Sequence, residues 1–170
     1  QTFRCSIDGK RIGALLGEII GSATQLQSAH LIAHSCGSFL ILGLCESLKA
    51  QSKNIQIQTT YLDPVSIYGG IFWNYGLNHF GSCADFSDAY IDHEDNVPGS
   101  NKPLVNSYTF DVTAARRKTS FNQSPHIWPT VYYQQLVTTG AYPNLTNAAE
   151  LNKQYPPSQF EVVQKLPTQQ

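Results

Sequence analysis

Between Gly9 and Gly21, apolar residues recur at Ile12, Leu15, Leu16, Ile19 and Ile20, a spacing that gathers them on one face of a helix. Ala29 to His34 is a short apolar strand, and Cys36 to about Ala50 reads as the helix packing behind it. Ile55 to Leu62 opens with alternation and is rich in β-formers, so it reads as a second strand. It stops at Asp63-Pro64, because proline cannot donate to a ladder. Leu104 to Val112 is the third strand candidate, with Thr109-Phe110-Asp111 at its end, and Ile127 to Val137 is helical. The intervening stretch from Ser66 to Pro103 has little clean periodicity and reads as an insertion, with a short helix around Asp85 to Ile91. Pro156 to Gln170, rich in proline and glutamine, is expected to be an extended tail.

Helices alternating with strands argue for an α/β layer fold with a mainly parallel sheet, since parallel neighbours need crossover helices. Three strands make a small sheet for 170 residues. The expected organisation is one domain over residues 1–155 followed by the tail over 156–170, with no internal repeat.

The pattern also locates the chemistry. Ala33-His34-Ser35-Cys36-Gly37 sits where the first strand gives way to a helix. A strand, sharp turn, serine and helix in that order make a nucleophile elbow, which lifts the hydroxyl off the sheet edge and aims the helix start at developing negative charge. A serine hydroxyl needs a histidine to take its proton and an acid to orient that histidine. Asp63 ends the next strand and His126 lies on a later loop ahead of a helix. The backbone N–H of Cys36 would serve as an oxyanion donor.

Each of these residues has a structural alternative. Ser35 could cap the helix, Asp63 could be a turn residue before proline, and His126 could simply open a helix. Asp111 is the rival acid, and His79 and His93 are the rival bases. His34 is expected to pack beside the serine, and His30 to lie at the surface or in a cap region. Cys36 at a helix start could be a reactive thiol. Asp85, Asp88, Asp92, His93, Glu94 and Asp95 form an acidic patch without calcium-loop spacing and read as a solvated face. Phe72, Trp73, Tyr75, Phe80, Phe86 and Tyr90 suit core packing, with an acyl pocket or a lid as the functional alternative.

Composition narrows the classes. With 41% apolar residues, 14% charged residues, a formal charge of −1 and no basic run, the chain offers no electrostatic footprint for nucleic acid. Its longest apolar run, Phe39 to Cys45 broken by Gly43, falls far short of the roughly 20 residues that span a bilayer. The absence of methionine and the start at Gln1 point to a processed or excised product. Four cysteines without metal-like spacing allow three disulfide pairings. Asn122-Gln123-Ser124 and Asn144-Leu145-Thr146 fit the glycosylation pattern, and together these features lean towards secretion.

The elbow, Tyr61-Leu62-Asp63-Pro64-Val65 and Ser124-Pro125-His126-Ile127-Trp128-Pro129 together resemble lipase-type α/β-hydrolases, especially pancreatic-type lipases, whose acid lies in a Leu-Asp-Pro segment. The resemblance spans about residues 9–138. It implies a three-layer fold, with Ser35 as nucleophile, Asp63 as acid and His126 as base in an esterase or lipase that needs no metal or organic cofactor. An ester or lipid substrate and peripheral contact with a lipid surface follow from it. Ala33 replaces the first glycine of the elbow. In such enzymes a second oxyanion donor comes from a loop ahead of the helix before the elbow strand, and only eight residues precede Gly9. The resemblance therefore implies that the N-terminal strands lie in a missing segment or a partner chain, or that the protein is an impaired, hydrolase-derived binding or structural subunit. Losing one such donor costs roughly 10²- to 10³-fold in rate.

Overall fold

The computed structural model describes residues 4–23 and 25–167. Its centre is a five-stranded, all-parallel sheet in sequential order, comprising β1 (Ser28–His34), β2 (Gln56–Leu62), β3 (Phe86–Ile91), β4 (Tyr108–Asp111) and β5 (Phe160–Val162). The α/β class with a parallel sheet is as expected. Two strands were not. Phe86–Ile91, read as a short helix, is a strand with every residue buried. Its β-formers lie between two hydrogen-bonded neighbours, which hides the alternation of a half-solvated strand. Within the stretch read as a tail, Phe160–Val162 is extended but pairs with β4, so the sheet crosses the expected boundary at residue 155. Residues 168–170 of that stretch lie outside the described residues.

Side chains alternate across the sheet and meet a different layer on each face. Tyr61 and Ala89 face helix α2 (Ser38–Gln51), packing with Phe39, Ile41, Leu42 and Phe80. Leu62 and Tyr90 face the opposite layer, where helix α5 (Trp128–Thr139) contributes Trp128, Tyr132, Tyr133 and Leu136. Gly140 ends α5 in the left-handed conformation at φ 70°. Three short helices, α3 (Tyr75–His79), α4 (Thr113–Arg116) and α6 (Ala148–Gln154), lie in the connections.

Helix α1 (Arg4–Ala23) is longer than its pattern suggested and turned the other way. Ile12, Leu15, Leu16 and Ile19 are exposed, while Gly13 and Gly17 are buried against α2. A Cβ at Gly13 would come within 1.9 Å of the Leu40 carbonyl oxygen, and one at Gly43 within 2.1 Å of the Lys10 carbonyl oxygen. The two helices thus touch backbone to backbone, which only glycine permits. Disulfides Cys5–Cys36 and Cys45–Cys83 fasten the same side of the molecule. No helix among the described residues is long and apolar enough to cross a membrane.

Candidate functional site

Strand register places the candidate residues. His34 pairs with Leu62, and Leu62 with Tyr90. Residues that leave β1, β2 and β3 therefore emerge side by side at the carboxyl edge of the sheet, where open α/β sheets collect their sites. Ser35 leaves β1 at φ 57° and Asp63 leaves β2 at φ 43°. Both backbones are in the left-handed region, which costs a non-glycine residue on the order of 1–3 kcal/mol and persists only where the surroundings enforce it. The Val65 N–H donates to the Ser35 carbonyl at 3.3 Å, and the Asp63 N–H donates to that of Tyr90 at 2.8 Å. Cys36 is tied to Cys5, which excludes the reactive-thiol reading and fixes the residue after the serine. Its N–H opens the 3-10 turn Ser35–Gly37, where helix-start donors have no intrahelical acceptor.

His126 sits in a second 3-10 turn, Pro125–Ile127, whose first N–H groups are capped when Ser124 Oγ accepts from the His126 N–H at 3.3 Å. The turn is anchored on both sides. His34 Nε2–H donates to the His126 carbonyl at 2.8 Å, and the buried Trp128 indole N–H donates to the Val112 carbonyl at 2.9 Å. His34 is thus a packing and anchoring residue, as expected, with its ring centroid 4.6 Å from that of His126. Burial lowers its pKa, so it stays neutral.

The imidazole of His126 joins the candidates in one line. Its Nε2 lies 2.8 Å from Ser35 Oγ and its Nδ1 3.0 Å from Asp63 Oδ2. A carboxylate at Nδ1 places the ring proton there, which leaves the Nε2 lone pair to accept from the serine hydroxyl. Burial pushes the Asp63 carboxyl up to about 7, against the opposing hydrogen bond from His126. Burial also works against a charged His126, but the Asp63 and Asp95 carboxyls outweigh it and raise its pKa.

Asp95 was not singled out as an acid from the sequence, yet its Oδ2 lies 2.9 Å from the same Nδ1. It leaves β3, the strand misread as a helix. Had Phe86–Ile91 been read as a strand, the rule that picked Asp63 would have picked Asp92, the residue directly after it, with Asp95 only one of the acids in the loop beyond. Asp111, the rival acid, hydrogen-bonds His93 Nδ1 at 2.7 Å and both the hydroxyl and N–H of Thr113. It binds β4 to the loop after β3, and His93 is occupied by it. His79 stacks on Tyr75 at 4.0 Å between centroids and pairs with its carbonyl. His30 is exposed, as expected.

The acidic patch is not a solvated face. Asp88, Asp92 and Asp95 are buried, and Asp92 and Glu94 bind Arg116 while Glu94 also binds Arg117. Among the described residues, Asp63, Asp95 and His126 bring potential ligand atoms within 4.8 Å of one another. A cation there would have to displace the Nδ1 proton and both of its hydrogen bonds. Of the aromatic residues, Phe80, Phe86 and Tyr90 are core, whereas Phe72 and Trp73 are each 56% exposed beside Ile71 in the loop that follows Asp63. A cavity of about 550 Å³ lined by Leu26, Leu48, Gln51 and Ile55 opens where β1 and β2 begin, and none of the Ser35, His126 or Asp63 side chains lines it. The chain matches no protein-family model, no curated protein and no solved structure.

Proposed function

We propose that this protein is a serine hydrolase that cleaves carboxylic esters, with Ser35 as nucleophile and His126 as general base, in an α/β-hydrolase-like frame. The observation that carries this reading is the unbroken line from Ser35 Oγ through His126 to Asp63, with the serine on a left-handed turn at the carboxyl edge of the sheet. Ser35 Oγ attacks the ester carbonyl as His126 Nε2 takes its proton. The tetrahedral oxyanion is met by the Cys36 N–H. His126 returns the proton to the leaving alcohol, and water repeats the cycle on the acyl-enzyme. A lipid ester suits the exposed Ile71, Phe72 and Trp73, which begin eight residues after Asp63 and offer apolar contact to an acyl chain or a lipid surface. Two disulfides fit an oxidising, extracellular setting.

A fluorophosphonate probe and a p-nitrophenyl ester series test the reading. Labelling at Ser35 with ester turnover is expected, and Ser35→Ala should lower turnover by about 10⁶-fold. A well-folded protein that neither labels at Ser35 nor turns over any ester sinks it. Labelling without turnover would instead favour the hydrolase-derived binding subunit, with Cys36 N–H as an insufficient oxyanion site.

A further inference from the structure

Asp63 and Asp95 arrive from successive strands and both point an Oδ2 at His126 Nδ1, at 3.0 and 2.9 Å. One ring N–H cannot satisfy two full carboxylates at that range. Two carboxyl groups sharing a site hold one proton between them, because like charges so close do not both ionise. Which of them keeps the charge follows from their donors. Asp95 receives the Ser100 hydroxyl on Oδ2 and the Val97 N–H on Oδ1 at 3.2 Å, and its main-chain carbonyl accepts from Asn101 at 2.6 Å. Asp63 receives His126 alone, and its Oδ1 is buried with no hydrogen-bond partner. Hydrogen bonds stabilise the anion that receives them, while desolvation favours the neutral form of the one that does not.

We propose that Asp95 is the charge-bearing positioning residue for His126, and that Asp63 stands beside it as a neutral acid holding the shared proton. The hydrolase reading supplies the reaction in which this matters. The imidazolium formed during acylation is then stabilised chiefly by the loop after β3. Burial, which raises Asp63 to about 7, agrees with this assignment. Burial also opposes charge on Asp95, but hydrogen bonds from Ser100 and Val97 hold that carboxyl below its usual range. The other titratable ring facing His126 is His34, which burial keeps neutral.

The test compares Asp63→Asn, Asp95→Asn and Ser100→Ala in the full chain, with thermal melts to confirm folding. His126 ring titration by NMR needs no substrate. Asp95→Asn should lower the His126 pKa more than Asp63→Asn does. With a p-nitrophenyl ester, Asp95→Asn should cut kcat by about 10²- to 10⁴-fold with little change in KM, whereas Asp63→Asn should stay within about ten-fold of the parent. Ser100→Ala, which removes one donor without touching the imidazole, should move the acid limb of kcat to higher pH. A larger loss in both His126 pKa and kcat from Asp63→Asn than from Asp95→Asn overturns the assignment, as does an acid limb that Ser100→Ala leaves in place. Failure of the parent to label at Ser35 counts against the hydrolase reading, while the His126 titration judges the two carboxyls independently of it.

Discussion

The side of the molecule that carries Ser35 and the side that carries His126 are held together by different means. Around β1, two disulfides and a backbone-to-backbone contact at Gly13 and Gly43 fix α1 and α2, while Ile12, Leu15 and Ile19 of α1 and Ile32 of β1 remain exposed. Around α5, the cement is aromatic. Tyr90 stacks on Phe110 at 4.8 Å between centroids, Tyr133 packs on Tyr90 at 5.1 Å, and Trp128 is 1% exposed. His126 therefore rides on an aromatic core whose stability scales with buried area, whereas the Ser35 turn adds covalent links to the buried core of α2, beside a strand at one end of the sheet order. The two sides should fail under different insults.

The sharpest way to separate them is to cut Cys5–Cys36 with the pair Cys5→Ser and Cys36→Ala. The bridge closes a chain separation of 31 residues, worth about 3–4 kcal/mol in the chain-entropy account. For a chain of this size that corresponds to a fall in Tm of roughly 10 °C. Because Cys36 also carries the proposed oxyanion N–H, kcat should fall even below the melting transition, while the His126 titration should hold. Melting unchanged within error, or a loss confined to the His126 side, would mean that the bridge does not set the Ser35 side apart.

A smaller effect distinguishes the sides through pH. Asp88 lies in β3 with its side chain towards the aromatic layer, fully buried. Its Oδ1 accepts the Thr60 hydroxyl at 2.6 Å and its Oδ2 has no hydrogen-bond partner. Burial pushes this carboxyl up to about 7, outweighing the hydrogen bond from Thr60. Its folded-state pKa lies above its unfolded value, so the native state binds the extra proton and stability declines as pH rises from about 4 to about 7. Asp63 has the same sign. Urea melts should thus show greater stability at pH 5 than at pH 8, and Asp88→Asn should reduce that difference by on the order of 1–3 kcal/mol. A variant with the parent's pH slope would show that Asp88 ionises without cost in the core.

These contrasts also explain what the chain's pattern made legible. The elbow was readable because Ser35 is framed by a short strand and a helix whose ends obey local rules, and Asp63 because Pro64 marks the end of β2. His126 was readable from its order after them. Asp95 was not, since β3 is buried on both faces and its boundary residues Asp85 and Asp92 suggested a polar helix or a solvated patch. Their neutralisation by Lys49 and Arg116 depends on partners 36 and 24 residues away. The small strand β5 was hidden for a related reason, because Phe160–Val162 becomes a strand only when β4 offers an edge to pair with. The orientation of α1 inverted a sound periodicity argument. A repeat of apolar residues marks a face but does not say which way that face turns, and glycines at four-residue spacing form the contacting face instead.

That inversion yields the smallest predicted effect. Leu15 and Ile19 are 58% and 62% exposed, and the buried glycines Gly13 and Gly17 lie on the side of α1 that meets α2. Leu15→Ser with Ile19→Ser removes little buried area, and the remaining cost is mainly the lower helix propensity of serine. A change within about 1 kcal/mol for the double variant is expected, measured by urea denaturation at fixed protein concentration. The ester-hydrolysis rate should stay at the parent value, because neither side chain reaches the Ser35 turn. A loss of 2 kcal/mol or more, on the scale of a core truncation, would mean that the apolar face of α1 is covered in solution. Burial would then reach across α1 as well, beyond the core that α2 already makes with Tyr61 and Phe80.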